Sequence, residues 1–243
     1  MHAIRIEELT KHYRGLCAVA HLSLTIPHGE LFALLGVNGA GKTTTIKMLS
    51  CLTKPTSGDA FLNGHSIRTE PDQVKKIIAV SPQETAVAPG LTARENLEMM
   101  CGVHGLSKAE REEKIAELTG LLNLSSILSR KAGKLYGCLQ IMISISMAIV
   151  SYPKILFLDE PTLGLDVLAR SELWDVIRSL KGSVTIILTT HYMEEAEMLS
   201  DRIGIMKDGH LLICASAGEI KQRTGCERFE DAFIHIVKEA KTC

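Results

Sequence analysis

The sequence predicts an α/β fold with a largely parallel central sheet, an N-terminal antiparallel β part and an inserted helical part. Short apolar runs alternate with amphipathic helical stretches, which is typical of a parallel sheet covered by helices. A mostly helical stretch interrupts this alternation at about residues 92–150, and the alternation then resumes. The chain has 243 residues, enough to bury a full hydrophobic core.

Strands are predicted where runs of four to six apolar residues end at turn signals. An Asn63-Gly64 turn predicts a β-hairpin at 60–65, and Asp208-Gly209 marks a turn before the last strand. Pro82 ends the strand that precedes it. The predicted strands are 4–9, 22–26, 30–35, 77–80, 155–158, 184–188, 203–206 and 211–213.

The helical stretch begins with two capping boxes, in which a hydroxyl residue is followed three residues later by a carboxylate: Thr92 with Glu95, and Ser107 with Glu110. The almost wholly apolar residues 139–150 predict a core helix with one face available to a partner. We therefore divide the chain into a phosphate-loop and antiparallel β part (1–91), a helical part (92–150), a second core part (151–215) and a tail (216–243). Charged residues in the tail predict a solvated helix; they are Glu230, Asp231, Lys238 and Glu239.

Composition excludes several classes of protein. The 27 basic and 28 acidic side chains nearly balance, which argues against nucleic acid as a partner. No apolar run reaches the ~18 residues of a spanning helix, and the N-terminus has no secretory signal. The seven cysteines are scattered and never form a CxxC pair, so we expect no disulfide framework or zinc site and a reducing cytosol.

The most informative segment fits the phosphate-binding pattern G-x-x-x-x-G-K-[ST] and lies between a predicted strand and a predicted helix. Its glycines allow a tight turn whose N–H groups point at phosphate oxygens. Lys42 would reach the β- and γ-phosphates, and the Thr43 hydroxyl would hold Mg²⁺. The predicted phosphate-binding residues are Gly36, Asn38, Gly39, Ala40, Gly41, Lys42, Thr43 and Thr44.

Two carboxylates, Asp159 and Glu160, follow the apolar run 155–158. A strand of this kind brings them to the carboxyl edge of the sheet, where ligands bind in open α/β folds. Asp159 suits the Mg²⁺ shell, and Glu160 suits the polarisation of the attacking water. The structural alternative is an acidic helix start after a core strand.

Three further residues are weaker candidates. His191 follows the strand 184–188 and would position the water at the γ-phosphate, although most histidines are loop or core residues. Gln83 would contact Mg²⁺ or water. Tyr13 would stack on an adenine ring, although a lone tyrosine is more often a half-buried aromatic.

These residues, in this order, resemble the ATP-binding-cassette family over about residues 4–215. The matching motifs are Tyr13, the Walker A loop 36–44, the Q-loop Gln83, the Walker B strand with Asp159 and Glu160, residues 161–166 with Asp166 leading into the D-loop, and the switch histidine His191. The resemblance implies a P-loop NTPase (RecA-like) core that uses ATP and Mg²⁺, with Thr43, Gln83 and Asp159 at the metal and Glu160 and His191 catalytic. Residues 189–197 look most like cassettes of drug, antibiotic, sodium or polysaccharide exporters.

In that group the cassette is a chain separate from the membrane subunit. The resemblance therefore implies a cytoplasmic ATPase subunit, peripheral on the inner face of the cell membrane. Its partners would be an integral-membrane permease, docking near Gln83, residues 84–91 and the helical part, and a second cassette in a homo- or heterodimer. A small P-loop kinase or GTPase is the rival class, but the chain has no N-K-x-D motif that reads a guanine base.

One motif departs from the family. The signature, L-S-G-G-Q in most members, falls at 135–139, with Leu135 and Gly137 retained, Tyr136 in place of serine and Cys138 in place of the second glycine. In the family this segment faces the γ-phosphate held by the partner cassette. The change is either a tolerated variant or a poor ATP clamp. In the second case the chain would be an ATP-binding but weakly hydrolytic regulatory or structural cassette.

Overall fold

A computed structural model describes residues 2–84 and 86–240. The N-terminal antiparallel sheet has four strands in the order β2-β1-β4-β5. They are β1 (His2–Tyr13), β2 (Leu16–Pro27), β4 (Ser57–Leu62) and β5 (His65–Ser66). The predicted Asn63-Gly64 hairpin is confirmed, with Leu62 paired to His65.

β1 and β2 are longer than the predicted strands 4–9 and 22–26. Their ladder continues through several register shifts to the pair Tyr13–Leu16, and Gly15 at φ +91° closes the turn. The added residues have mostly exposed or half-buried side chains, so apolar alternation stops before the backbone pairing does.

The larger sheet has six strands in the order β10-β9-β3-β8-β7-β6. Only β10 runs antiparallel to its neighbour. β3, β7 and β8 are buried along their whole length, which explains their continuous apolar sequences. The strands are β3 (Leu31–Gly36), β6 (Ile78–Ser81), β7 (Ile155–Asp159), β8 (Thr185–Thr190), β9 (Arg202–Lys207) and β10 (His210–Ala215).

Nine α-helices are assigned within residues 2–84 and 86–240. They are α1 (Lys42–Leu49), α2 (Pro71–Ile77), α3 (Ala93–Val103), α4 (Lys108–Leu121), α5 (Cys138–Ile149), α6 (Val167–Leu180), α7 (Met193–Leu199), α8 (Ala217–Thr224) and α9 (Phe229–Glu239). Both predicted capping boxes are confirmed at α3 and α4. None of these helices is both long and apolar enough to cross a bilayer.

The predicted apolar core helix is α5, and most of its residues are buried. One continuous core cluster joins Leu97 of α3 and Ile143 of α5 to Leu156 and Leu158 of β7. The helical part therefore packs on one face of the larger sheet and shares its core. The division of the chain at 91, 150 and 215 stays a prediction.

The tail differs from the predicted solvated helix. Its four charged residues are exposed, but Phe229, Ala232 and Phe233 on the other face of α9 are buried against α7 and the sheet. The prediction of a solvated helix rests on the charged residues alone. The apolar residues between them recur at helical spacing and form the buried face of α9. α9 is thus part of the core, and residues 241–243 of the predicted tail lie outside the described residues.

The register of the larger sheet brings three strand ends together. Leu35 of β3 pairs with Thr190 of β8, and Asp159 of β7 pairs with Thr189 of β8. The loops that follow these strands therefore leave from one edge of the sheet, the carboxyl edge predicted to bind ligand.

Candidate nucleotide-binding site

The phosphate loop follows β3 directly and ends at α1. Gly41 is the N-cap of α1 with φ 103°, in the left-handed region that glycine tolerates best. A Cβ atom on Gly41 would lie 2.4 Å from the carbonyl oxygen of Ala18, and one on Gly36 would lie 2.5 Å from that of Met206. The loop is therefore too tightly packed for side chains at these positions. Its backbone N–H groups and the N-terminus of α1 form a ready anion site.

Lys42 is held inside this loop. Its Nζ donates to the carbonyl oxygens of Gly36 and Val37, at 2.7 and 3.3 Å. Nζ also lies 3.1 Å from Oε1 of Glu160, and the two side chains are only 5% and 9% exposed. Removing either partner from such a buried pair leaves the other charge uncompensated, which typically costs about 3–5 kcal/mol.

Glu160 contacts two side chains through its two carboxylate oxygens, the ammonium of Lys42 and the ring of His191. While Oε1 faces Lys42, Oε2 lies 2.5 Å from Nδ1 of His191. The backbone at Glu160 has φ +51°, an uncommon conformation for a residue with a side chain. Its N–H donates to the carbonyl and hydroxyl oxygens of Thr189, both at 3.1 Å. This strained turn aims the carboxylate from the end of β7 into the site.

Asp159 lies beside the phosphate loop and accepts hydrogen bonds from two hydroxyl groups. Its Oδ1 accepts from Thr43 Oγ1 at 3.1 Å and from Thr189 Oγ1 at 2.6 Å. A hydroxyl and a carboxylate in contact at the mouth of a phosphate loop are the oxygen donors that suit Mg²⁺, with phosphate and water supplying the rest. Among residues 2–84 and 86–240, no cluster of three or more His, Cys, Asp or Glu residues suits a metal. A metal here would therefore depend on the nucleotide for much of its shell.

One cavity of about 780 Å³ collects most of the predicted site. Its volume lies within the range of small-molecule sites. The predicted residues that line it are Tyr13, Asn38, Gly39, Ala40, Gly41, Lys42, Thr43, Thr44, Gln83, Glu160 and His191. Gly36 and Asp159 support this wall from behind through Lys42 and Thr43. Tyr13 is 42% exposed at the rim, and the Lys11 Nζ lies over its ring, 4.8 Å from the centroid.

Three predicted residues lie outside this cavity: Leu135, Gly137 and Asp166. Leu135 is buried in the helical core, and Asp166 caps α6 by accepting from the N–H of Ala169 at 2.9 Å. Gly137, at φ +58°, precedes α5. Their binding roles would need a second chain and stay predictions.

The altered signature segment has one exposed and one buried substitution. Tyr136 is 83% exposed, whereas Cys138 is 5% exposed. The Cys138 Sγ donates to Oε2 of Glu172 on α6 at 3.5 Å. Burial and the Glu172 carboxylate raise the pKa of this thiol to about 11. The cysteine side chain therefore points into the protein, and of the two altered residues only Tyr136 adds bulk at the surface.

Sequence reasoning missed part of the cavity wall. Leu16, Cys17 and Ala18 of β2, Leu163 after β7, and Asp208 and His210 beside the β9–β10 turn also line it. The Asp208-Gly209 signal identified only a turn. The turn reaches the site because Gly209 bonds through its backbone to Ala20 and Ala40. That contact joins distant parts of the chain, and no local pattern predicts it.

The fold and the site define a P-loop nucleotide-binding protein with the residues for phosphate and metal contact at one sheet edge. A family model described as ABC transporter matches residues 19–163, and a model of an AAA domain matches residues 134–195. The chain belongs to the ABC transporter family, as its ATP-binding cassette. Cassettes of this family bind ATP or ADP, are generally ATPases, dimerise and work with membrane domains.

Curated relatives agree with this assignment. The daunorubicin/doxorubicin resistance ATP-binding protein DrrA of Streptomyces peucetius is 41% identical over 224 residues, which are 92% of this chain and 68% of DrrA. The phospholipid-transporting ATPase ABCA3 of Homo sapiens is 37% identical, over 91% of this chain and 13% of ABCA3. ABC transporter A family member 3 of Arabidopsis thaliana is 40% identical, over 92% of this chain and 25% of that protein. The chain thus spans only a small part of the last two proteins.

Solved structures agree as well. An ATP-binding subunit of an ABC transporter superposes with a TM-score of 0.83 at 26% identity, covering 96% of this chain and 99% of that one. A dimeric cassette in a post-hydrolysis state, bound to ADP and Pi, has a TM-score of 0.77 at 26% identity, covering 88% of this chain and 98% of that one. The predicted fold class, a P-loop NTPase core with an antiparallel β part and a helical part, is confirmed.

Proposed function

We propose that this chain hydrolyses Mg-ATP and, by ATP-dependent dimerisation of two cassettes, powers a membrane exporter. The observation that carries the proposal is the buried chain of contacts from Lys42 through Glu160 to His191, in the wall of a cavity closed by the phosphate loop. A chain that only held ATP would need Lys42 and the loop amides. ATP binding alone would not require a buried carboxylate, which lowers the stability of the fold, or a histidine that orients this carboxylate.

ATP would bind with its base against Tyr13 and its phosphates on the loop amides, Lys42 and the N-terminus of α1. Thr43, Asp159 and Gln83 would hold Mg²⁺. When bound, Mg²⁺ would supply positive charge that offsets the negative charge developing during phosphoryl transfer. Phosphate oxygens and water would complete this shell.

The Lys42–Glu160 contact suggests how binding prepares the chemistry. In this arrangement the Lys42 ammonium contacts the Glu160 carboxylate and two carbonyl oxygens of the loop. A γ-phosphate offers Lys42 a doubly charged partner, which releases Oε1 of Glu160. That oxygen then accepts a proton from the attacking water, while His191 keeps Oε2 oriented. The carboxylate would thus become a free base only when a phosphate is present.

The membrane role rests on the relatives. DrrA is a drug-resistance ATP-binding protein that this chain matches over most of both lengths, and ABCA3 is a phospholipid-transporting ATPase. We propose by analogy that this chain works at the inner face of the cell membrane. It would act with a permease that docks near Gln83 and the helical part, and with a second cassette that is identical or different.

Tyr136 favours a second candidate function. An exposed tyrosine stands where most cassettes present a serine to the partner's nucleotide, so a homodimer would carry this bulk at both sites. In that case the chain would be an ATP-binding, weakly hydrolytic regulatory or structural cassette, paired with a cassette that has an intact signature.

The experiment is ATP turnover by the purified full chain, alone and reconstituted with its permease, against the Glu160→Gln variant. Mg²⁺-dependent turnover that depends on Glu160 supports the proposed function. ATP binding without turnover above the variant, in both preparations, supports the regulatory candidate and rejects hydrolysis.

A further inference from the structure

A second buried carboxyl group, outside the nucleotide cavity, lies next to the catalytic segments. Glu195 is on α7, four residues after His191, and none of its surface is exposed. Its Oε1 accepts from the indole N–H of Trp174 on α6 at 3.2 Å. Its Oε2 is buried and has no hydrogen-bond partner among the described residues. The mechanism above makes no use of this group.

Within residues 2–84 and 86–240, no cation pairs with Glu195. Arg170 of α6 lies 4.5 Å over the ring of Tyr192 and reaches Glu194 at 3.9 Å, while His191 pairs with Glu160. The charged group that acts on Glu195 is the Glu160 carboxylate, which repels a second negative charge. A fully buried carboxyl with one N–H donor and a like charge nearby is most stable with its proton on.

The neighbourhood also holds a hydroxyl with no partner. Thr162, two residues after Glu160, is 1% exposed, and its Oγ1 has no hydrogen-bond partner within the described parts of the chain. The hydroxyls of Thr162 and Thr190 lie close enough to the Glu195 carboxyl to affect its ionisation. A hydrogen bond between Oε2 and the Thr162 hydroxyl would satisfy both unpartnered atoms at once, and a proton on Oε2 would make the carboxyl the donor in that bond.

We propose that Glu195 is a neutral buried carboxylic acid that acts as a positioning residue for the Glu160–His191 pair. It joins three segments: α7, which begins two residues after His191; α6, through Trp174; and the turn after Glu160, through Thr162. Because His191 and Glu160 lie on two of these segments, the network sets the distance between the base and the histidine that orients it.

The ionisation of Glu195 agrees with this geometry. Burial, followed by the nearby Glu160 charge, raises the pKa of Glu195 above its ordinary value of 4.5, although its hydroxyl and indole neighbours oppose the shift. In the unfolded chain the group ionises at its ordinary pKa. The wild type therefore loses stability as the pH rises from that value through the pKa of the folded state, because folding must then take up a proton.

The test compares Glu195→Gln, a neutral isostere that keeps a donor for Thr162, with Glu195→Ala and with the control Glu194→Gln on the exposed side of the same helix. Denaturant unfolding of the full chain is measured between about pH 5 and pH 8. Relative to wild type, Glu195→Gln should gain in unfolding midpoint as the pH rises, whereas Glu194→Gln should show no such trend. A midpoint difference that does not change with pH would mean an ionised Glu195 and would overturn the proposal.

Turnover gives the second readout, and this arm alone rests on the proposed hydrolysis. Glu195→Gln should keep at least about half of the wild-type kcat, and Glu195→Ala should lose roughly tenfold to a hundredfold in kcat with little change in KM for ATP. Equal losses in both variants would overturn the positioning role. A wild type without turnover would instead reject the proposed function, while the unfolding measurement would still decide the state of Glu195.

Discussion

The nucleotide cavity and the signature segment differ in how many of the contacts expected for their function are present within one chain. In the cavity, Lys42, Glu160 and His191 contact one another, and Thr43 and Asp159 share a hydrogen bond. In the signature segment, Tyr136 is exposed to solvent and Cys138 is buried against Glu172. The contacts of the first region lie within the single chain, whereas the role predicted for the second depends on a second cassette.

This difference also explains where substitutions are tolerated. Lys42, Glu160 and Asp159 each have a buried partner, so a change at one of them affects its neighbours. The exposed Tyr136 has no comparable network of contacts among the described residues. Its size therefore matters only where another protein surface approaches it. We expect the largest effects from changes in the cavity and smaller effects, of either sign, from changes in the signature segment.

The largest expected effect is on turnover in Glu160→Gln. An amide accepts the proton of water poorly, so hydrolysis by the assembled transporter should fall by roughly 10²–10⁴-fold. The affinity for ATP should not weaken, since Lys42 is no longer shared with a carboxylate, and the variant should accumulate as an ATP-bound dimer. Turnover and light scattering check both outcomes. Wild-type turnover in the variant would show that Glu160 is not the base.

The next effect is loss of ATP binding in Lys42→Ala. The variant loses charge-assisted contacts to phosphate worth about 1.5–3 kcal/mol each. It also leaves Glu160 buried near the phosphates without its cation. Calorimetry should detect no tight Mg-ATP binding. Lys47→Ala, an exposed lysine of the same helix, is the control and should bind like wild type. Unchanged affinity in Lys42→Ala would contradict the phosphate-loop assignment.

A smaller effect is expected from repairing the signature segment. Tyr136→Ser together with Cys138→Gly should raise ATP turnover and ATP-dependent dimerisation, by about tenfold if one hydrogen bond to a phosphate is restored. Because the Cys138 side chain is buried, we expect Tyr136→Ser alone to give most of the gain. Equal turnover and dimer fractions in wild type and double variant would reject the poor-clamp hypothesis and leave the tolerated-variant one.

The smallest effect is on thiol labelling, which compares the two regions directly. Cys17 lines the cavity, so bound ATP should slow its alkylation. Cys138, with its pKa raised to about 11, should react slowly with or without ATP, because little of it is thiolate near neutral pH. Peptide mass spectrometry resolves the two sites. Fast labelling of Cys138 would mean that its side chain points outward.

Much of this molecule follows from local sequence. The phosphate loop, the two capping boxes and the Asn63-Gly64 hairpin are predictable because each depends on residues a few positions apart and on backbone rules. Asp159, Glu160 and His191 were predicted to reach the sheet edge because they follow apolar strands. These features need only the order of residues along the chain.

The tertiary structure alone decided which of these residues meet and in what state. Contacts between residues far apart in sequence produce the ion pair of Lys42 with Glu160, the inward-pointing side chain of Cys138 and the core position of α9. The burial of Glu195 against Trp174 is a contact of the same kind. The physical reason is that burial and the distance between charges arise from packing. Packing sets whether a carboxylate is paired, protonated or free to act as a base, and no short pattern in the chain contains that information.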